Sequence, residues 1–253
     1  MVGIYFSGTG NSKYAAELFC KEYDNESRTY SIEDTEALTA VTESDIIVFA
    51  YPVQFSTVPK IVRDYITDHS ELWMNKRFFI IATMGLFSGD GSGVLGRLLQ
   101  SCGAKVIGGL HLKMPDSIAD EKALKRPPEK NKELVKQAEQ KIKESVKRLK
   151  ADKSTQEGIG VLCRLAGFFG QRAYFGHKTG RYSSKLKIDT DKCVGCGICE
   201  KLCPMENISV KERKAVSGDR CTMCYRCINK CPKQAITLLG KRVVEQCGIE
   251  KYI

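Results

Sequence analysis

The sequence predicts an α/β chain in two parts: a five-stranded parallel, doubly wound sheet, followed by a small α+β region rich in cysteine. Two observations support this prediction. The first 150 residues alternate short apolar runs with segments of helical period. Eight of the twelve cysteines fall between positions 193 and 231. The predicted divisions are a sheet domain at 1–150, a basic amphipathic linker at 151–185, a cysteine-rich domain at 186–240 and a tail at 241–253.

Runs rich in β-branched and aromatic residues predict five strands, of which the second is the weakest. They lie at residues 2–7, 28–32, 45–51, 77–83 and 104–112. Segments of helical period predict helices at 12–23, 59–68, 93–101 and 131–150. We expect the last helix to cover the sheet, because it places five apolar residues on one stripe: Val135, Ala138, Ile142, Val146 and Leu149.

Two stretches of the cysteine-rich region share the spacing C-x2-C-x2-C-x3-C-P. The first contains Cys193, Cys196, Cys199, Cys203 and Pro204. The second begins 28 residues later and contains Cys221, Cys224, Cys227, Cys231 and Pro232. The region is therefore an internal duplication, and cysteines crowded in this way point to metal rather than to disulfides.

This spacing is typical of cubane iron-sulfur clusters. Three thiolates of one tight loop reach three irons, while the fourth cysteine, on the following turn, reaches the other cluster. The sequence therefore predicts two 4Fe-4S clusters, one on Cys193, Cys196, Cys199 and Cys231 and the other on Cys221, Cys224, Cys227 and Cys203. Structural zinc is the alternative, but zinc requires neither the third cysteine nor the trailing Cys-Pro. The segment 186–240 resembles the bacterial two-cluster ferredoxins, which implies one-electron transfer at low potential.

The loop after the first predicted strand has the composition of a phosphate site. Residues 7–12 read Ser-Gly-Thr-Gly-Asn-Ser and lead into a helix, whose first N–H groups are free to bind an anion. The chain has neither the G-x-x-x-x-G-K motif of nucleotide hydrolases nor the G-x-G-x-x-G motif of dinucleotide-binding proteins at this point. A mononucleotide at the carboxyl ends of the strands is the ligand that this arrangement favours.

The first 150 residues resemble the flavodoxin family, which has the strand order 2-1-3-4-5. The loop at 7–12 is similar to the family's T-x-T-G-x-T phosphate loop, residues 51–59 to its first flavin-flanking loop, and Gly89-Asp90 to the second. The resemblance implies FMN, with Ser7, Gly8, Thr9, Gly10, Asn11 and Ser12 on the phosphate. The ring neighbours that it implies are Tyr51, Pro52, Val53, Gln54, Phe55, Thr83, Met84, Gly85, Phe87, Gly89 and Asp90.

One position departs from the flavodoxin pattern. Flavodoxins commonly place an aromatic residue just after the Gly-Asp pair, over the outer face of the flavin, whereas Gly91, Ser92 and Gly93 follow it here. We expect the cysteine-rich domain or Phe87 to cover that face. A cluster would then lie close to the ring.

The two motif sets in one chain resemble the fused flavodoxin-ferredoxin proteins of the EFR1 family, found mainly in anaerobic prokaryotes. The favoured function is electron transfer between FMN, the two clusters and an external redox partner. The alternatives are an FMN-dependent reductase of a small molecule, fed through the clusters, and an interaction protein with structural or sensing clusters. No catalytic residue is predicted: His69, His111 and His177 are isolated, and Cys20, Cys102, Cys163 and Cys247 are interpreted as packed thiols.

The net charge of +10 is regional, because residues 121–187 contain 18 Lys/Arg and 7 Asp/Glu while the remainder contains 22 and 23. Without base-reading motifs, nucleic-acid binding is not expected. The basic zone suggests an acidic electron carrier or an anionic membrane face, and a solvated helix surface is the alternative. Residues 158–176 predict a short amphipathic helix that packs between the domains or docks on such a partner. No secretion signal or spanning segment is recognised, so a cytoplasmic location is expected.

Overall fold

The computed structural model describes residues 1–169 and 182–253, and it contains the predicted parallel sheet. The strands are β1 (Val2–Tyr5), β2 (Arg28–Ser31), β3 (Ile46–Pro52), β4 (Arg77–Met84) and β5 (Lys105–Lys113). Their order in the sheet is β2-β1-β3-β4-β5, and all neighbouring strands are parallel. The flavodoxin-like fold class predicted from the sequence is therefore confirmed, including the weak second strand.

Helices cover both faces of the sheet, because its inner strands are apolar on both sides. The helices are α1 (Asn11–Tyr23), α2 (Ala37–Thr42), α3 (Lys60–Asp68), α4 (Gly91–Ser101) and α5 (Pro128–Lys150), with 3-10 turns at Ser70–Trp73 and Lys122–Leu124. One face is covered by α1 and α5 through residues such as Phe19 and Ile142, and the other by α2, α3 and α4 through residues such as Ile66 and Leu95. The five-residue stripe predicted on α5 is buried. Six residues in α2 are too few to show a helical period, and that helix was not predicted.

The cysteine-rich region forms a second, smaller core. Strand β6 (Lys187–Ile188) pairs antiparallel with β9 (Ile236–Thr237), and β7 (Ile208–Lys211) pairs antiparallel with β8 (Lys214–Ser217). Short helices at Ile198–Lys201 and Arg226–Lys230 each begin inside one cysteine motif, and a 3-10 turn lies at Ile249–Lys251. The core contains Leu186, Ile208, Ile228, Ile236 and Leu238.

Two segments cross between the halves of the molecule. The buried carboxylate of Asp120, which follows β5, accepts hydrogen bonds from the backbone N–H groups of residues 238, 239 and 240 at 2.6, 3.0 and 3.1 Å and from the Tyr225 hydroxyl at 3.0 Å. In the other direction, Ile249 and Tyr252 of the C-terminal tail pack into the core beside α1 and α5. Each half of the molecule therefore contributes a segment that packs on the other half, and these contacts fix their relative orientation.

The predicted amphipathic segment is only partly described. Helix α6 (Val161–Gly167) lies in it, and Gly167 packs against Gly89 and Asp90 of the sheet domain. His177 and residues 170–181 lie outside the described residues. Across the ranges that are described, no helix has the length and apolar character needed to cross a membrane.

Candidate functional site

Two cavities of about 20 Å³ are each lined by four cysteines, and each group draws one member from the other motif. The outer cysteine set is Cys193, Cys196, Cys199 and Cys231. The inner cysteine set is Cys203, Cys221, Cys224 and Cys227. The structure thus brings together the same groups of four that the spacing predicts. Over residues 1–169 and 182–253, no three His, Cys, Asp or Glu side chains converge on a position for a single metal ion.

Backbone N–H groups donate hydrogen bonds to cysteine sulfurs in both sets. Among them are Ala215 N to Cys193 Sγ (3.3 Å), Ala235 N to Cys231 Sγ (3.4 Å), Asn207 N to Cys203 Sγ (3.2 Å) and Met223 N to Cys221 Sγ (3.4 Å). Such donors stabilise negative charge on sulfur and are a main influence on cluster potential. Both sets are therefore arranged for thiolates.

Burial disfavours the thiolate form of these cysteines when no metal is bound, and so opposes the effect of the N–H donors. It raises the pKa of Cys224 to about 12, and it also raises the pKa values of Cys199, Cys221 and Cys227. At neutral pH these sulfurs would keep their protons unless a cationic centre favoured the thiolate. A metal centre held by all four sulfurs of a set meets this requirement.

A larger cavity, of about 210 Å³, lies at the carboxyl ends of β1, β3 and β4. The loop after each of these strands contributes to it, as expected for a ligand site in an open parallel sheet. Thirteen of the predicted flavin-site residues line this cavity: Ser7, Gly8, Thr9, Asn11, Ser12, Pro52, Val53, Gln54, Phe55, Thr83, Met84, Gly85 and Phe87.

Four predicted flavin-site residues do not line it. Gly10 has φ +93° and donates its N–H to Ser7 Oγ at 3.0 Å, a hydrogen bond that stabilises the turn of the phosphate loop. The Tyr51 side chain is fully buried, and its hydroxyl donates to the Gly91 carbonyl at 2.6 Å. Gly89 packs on α6, and the buried carboxylate of Asp90 pairs with Arg97 at 2.6 Å. These side chains support the loops rather than face the cavity.

The phosphate loop contains polar groups that have no partner among the described atoms. The first N–H groups of α1 have no acceptor within the helix, as at any helix start. Asn11 is buried; its Nδ2 donates to the Pro115 carbonyl at 2.7 Å, while its Oδ1 has no hydrogen-bond partner among the described atoms. A ligand with a phosphate at the helix start and a hydroxyl donor near Asn11 satisfies both, and FMN has both groups.

The cysteine-rich domain supplies the remaining side of the cavity through Met223, Cys224 and Tyr225, which we name the shared wall. Gln54 Nε2 donates to the carbonyls of Thr222 and Met223 at 2.8 and 3.2 Å, which holds the wall against the loop after β3. The cysteine-rich domain and Phe87 thus both line this cavity, and their covering of the outer flavin face stays a prediction.

The shared wall lies close to the phosphate loop because Gly8 has no side chain. A Cβ at Gly8 would overlap the carbonyl oxygen of Cys224. Beside this contact, Arg226 Nη2 donates to the Ser7 carbonyl at 3.0 Å and pairs with Glu33 at 2.7 Å. Hydrogen bonding to Glu33 raises the pKa of Arg226, so a permanent positive charge lies next to the inner cysteine set.

Sequence reasoning missed the cavity residues that follow β5: Pro115, Asp116, Ser117, Ile118 and Leu124. Ser117 Oγ shares a hydrogen bond of 2.7 Å with Thr9 Oγ1 of the phosphate loop. Burial raises the pKa of Asp116 above its ordinary value, although its hydrogen bond from the Ile118 N–H at 2.8 Å acts in the other direction. The sequence did contain a signal for Asp116, because it follows the apolar strand β5. In a parallel sheet the carboxyl end of β5 lies at the same edge as the carboxyl ends of β1, β3 and β4.

Comparison with known proteins matches residues 185–233 to the family model of the 4Fe-4S dicluster domain. A ferredoxin of Pyrococcus woesei is 60% identical over 20 residues, which is 8% of this chain and 95% of that sequence. Among solved structures, the flavodoxin of Megasphaera elsdenii is 25% identical, with a TM-score of 0.41, over 55% of this chain and 99% of its own. A WrbA-like flavodoxin of Agrobacterium tumefaciens is 16% identical, with a TM-score of 0.42, over 60% of this chain and 98% of its own.

The dicluster domain covers both cysteine motifs up to Pro232, and the cavities group their sulfurs in fours. The chain therefore carries two 4Fe-4S clusters and is an electron-transfer redox protein. Its remaining domain has the sheet order 2-1-3-4-5. The chain belongs to the ferredoxins with a 4Fe-4S dicluster domain, joined here to a flavodoxin-like domain in one flavodoxin-ferredoxin fusion.

Proposed function

We propose that this protein passes electrons between FMN in the 210 Å³ cavity, the two 4Fe-4S clusters and an external redox partner. The observation that carries the proposal is the position of Cys224 and Tyr225. Both residues line the FMN cavity and also the cavity of the inner cysteine set. One layer of protein thus separates the two sites, which is the arrangement that short-range electron transfer requires.

The cluster ligands in this proposal are the two cysteine sets. The outer set would hold one cluster and the inner set the other, with the N–H donors to Cys193, Cys203, Cys221 and Cys231 tuning their potentials. The functional domains would be 1–150 for FMN and 186–240 for the clusters, with 151–185 linking them and 241–253 as the tail.

FMN fits the cavity by its two ends. The phosphate would meet the α1 N–H groups and the loop from Ser7 to Ser12, and a ribityl hydroxyl would donate to Asn11 Oδ1. The ring would lie between the loop containing Gln54 and the loop containing Met84 and Phe87. When bound, FMN supplies the ability to exchange one or two electrons, whereas each cluster exchanges one.

The order of the centres follows from the burial of the two sets. The inner set adjoins the FMN cavity through Cys224, whereas Cys196 of the outer set is exposed and its neighbours Val194 and Ile198 are 54% and 38% exposed. Electrons would pass from FMN to the inner cluster, then to the outer cluster and the partner, or in the reverse direction. The excess of Lys/Arg at 121–187 favours an acidic electron carrier as that partner.

Anaerobic purification followed by metal, sulfide and flavin analysis tests this proposal. We expect about eight irons with matching sulfide and one FMN per chain. A redox titration followed by optical and paramagnetic spectra should then resolve three centres. Zinc in place of iron would contradict the cluster assignment, and iron without FMN would favour clusters with a structural or sensing role.

Reduction of a small molecule at the flavin is the second candidate function, and Asp116 is the observation that favours it. Its carboxyl lies in the FMN cavity against Gly85, where a Cβ would overlap Oδ2. Because burial raises its pKa, Asp116 holds a proton more readily than an ordinary aspartate and could donate it to a substrate.

The pH dependence of turnover distinguishes this function from simple electron transfer. If Asp116 donates a proton, the rate with a small-molecule acceptor falls as pH rises through its pKa, because the protonated form is lost. Asp116→Asn should then remove this dependence while FMN affinity, measured by fluorescence, changes little. An unchanged pH profile in Asp116→Asn would exclude the proton-donor role and leave the electron-carrier function intact.

A further inference from the structure

Six large apolar side chains are exposed in two segments of the molecule, one of which lines the FMN cavity, and we name them the apolar patch. Two lie in the loop after β4, and four lie in α6 and the two residues that follow it. The members and their exposed fractions are Leu86 (57%), Phe87 (47%), Leu162 (82%), Leu165 (50%), Phe168 (52%) and Phe169 (73%). Exposed apolar side chains concentrated in this way mark an interaction surface more often than single ones do.

The two parts of the apolar patch adjoin because Gly89, in the loop after β4, packs against Gly167 at the end of α6. A Cβ at Gly89 would overlap the backbone of Gly167, so the loop after β4 and the end of α6 pack directly on each other. Leu86 and Phe87 precede this contact in the loop, and Phe168 and Phe169 follow it directly in the chain. The two segments of the apolar patch therefore meet at this contact.

Positive charge borders the apolar patch. Lys113 and Lys141 line a groove together with Leu86 and Phe87. Lys141 belongs to α5, which contains eight Lys/Arg and four Asp/Glu over residues 128–150. Lys141 also pairs with Glu157 at 2.9 Å, but the excess along α5 is positive.

We propose that the apolar patch and its basic border dock on an anionic lipid surface. Acyl chains would take up the Leu and Phe side chains, and acidic headgroups would meet the lysines, which is the pairing that interfacial helices use. A second copy of the chain would instead bring two basic borders together, and like charges oppose that arrangement. An acidic protein would match the lysines, but burial of the six apolar side chains would require a matching apolar surface on it as well.

Docking in this way places the FMN cavity at the membrane. Leu86 and Phe87 line that cavity as well as belonging to the apolar patch. The cavity mouth would then face the lipid surface, while Cys196 of the outer set lies in the other domain. Membrane binding itself requires neither FMN nor electron transfer, so its failure would leave the proposed function untouched.

Co-sedimentation of the full, anaerobically purified protein with vesicles tests this surface. The probes are phosphatidylcholine vesicles with and without about one third phosphatidylglycerol, at low and high salt. We expect binding to the anionic vesicles only, and at least a tenfold loss of binding at high salt.

Variants then locate the contact. Leu162→Gln and Phe169→Gln should each lower binding about tenfold or more, since burial of one such side chain changes an equilibrium by that order. Val216→Gln and Val244→Gln, at positions 47% and 42% exposed outside the apolar patch, should bind as the wild type does. No binding to anionic vesicles, equal binding of all four variants, or dimers in sedimentation that Phe169→Gln dissolves would overturn the proposal.

Discussion

The two cysteine motifs have the same spacing and the same local backbone, but different residues occupy the gaps between their cysteines. Gly195 and Met223 are equivalent positions with φ +66° and +56°, and Gly197 and Tyr225 are equivalent with φ +76° and +61°. The outer motif uses glycine where the backbone is left-handed, which is the residue that tolerates it best. The inner motif places large side chains there, at a cost of about 1 kcal/mol each.

The reason for these costly side chains is the cavity that they line. Met223 and Tyr225 form the shared wall with Cys224, and the Tyr225 hydroxyl is fixed by Asp120 at 3.0 Å. The outer motif lies far enough from the sheet domain that Gly197 meets no atom within 4 Å of where its Cβ would be. At these positions the inner loop thus carries side chains that line a second site, whereas the outer loop carries glycine.

Charge follows the same division. Ile198 in the outer motif is 38% exposed, whereas its equivalent, Arg226, is largely buried and donates to Ser7, Glu33 and Leu202. A positive charge lies beside the inner set and an apolar residue beside the outer set. The two cluster potentials should therefore differ, because a nearby positive charge stabilises the reduced form of a cluster. The inner cluster should therefore have the higher potential of the two.

Removal of one ligand from each set should have the largest effect. Cys224→Ala should leave about four irons and abolish rapid electron exchange between FMN and the remaining cluster. Cys196→Ala should also leave about four irons, but FMN should still exchange electrons with the inner cluster at close to the wild-type rate. The rate of electron exchange in each variant is measured by photoreducing FMN and following the cluster absorbance over time. Similar rates in the two variants would contradict the inner and outer assignment.

Replacement of Arg226 should have the next largest effect. Arg226→Met removes the hydrogen bonds to Ser7 and Leu202 and a partly exposed ion pair with Glu33, so the free energy of unfolding should fall by about 2 kcal/mol. The inner cluster potential should fall by about 60 mV, a tenfold change in equilibrium.

Two variants serve as controls for Arg226→Met. One changes the charge of Glu33, its ion-pair partner, and the other changes Ile198, the equivalent residue of the outer motif. Glu33→Gln keeps the cation and removes its counter-charge, so it should raise the inner potential instead. Ile198→Met in the outer motif should leave both potentials within error of the wild type. An inner potential that does not move in Arg226→Met would show that this charge is screened by solvent.

Local patterns in the sequence account for the parts of the molecule that were predicted well. The five strands followed from the apolar runs, and the grouping of Cys203 with the second motif followed from the C-x2-C-x2-C-x3-C spacing. Both depend on residues near one another in the chain, whereas the order of the strands came from the resemblance to the flavodoxin family. The loops after β1, β3 and β4 were located for the same reason, since each directly follows a recognisable strand.

Side-chain direction and long-range packing account for what was missed. Tyr51 was expected at the flavin, but its hydroxyl turns inward to Gly91, which residue type does not reveal. Met223 and Tyr225 reach the cavity only because Asp120 and the C-terminal tail hold the two halves together. Such contacts join residues about 100 positions apart, and no local spacing encodes them.

The smallest expected effects lie at the two glycines of the outer motif, which differ only in the space around them. A Cβ at Gly195 would overlap the Arg213 carbonyl, whereas Gly197 is open. Gly197→Ala should therefore cost about 1 kcal/mol, the strain of a left-handed alanine, and Gly195→Ala about 1 to 3 kcal/mol more because the backbone must shift. The rate of cluster loss in guanidinium, followed by visible absorbance, ranks them. Equal rates would mean that the outer loop moves freely enough to accept a side chain at either glycine, and the close packing against Arg213 would not be a constraint.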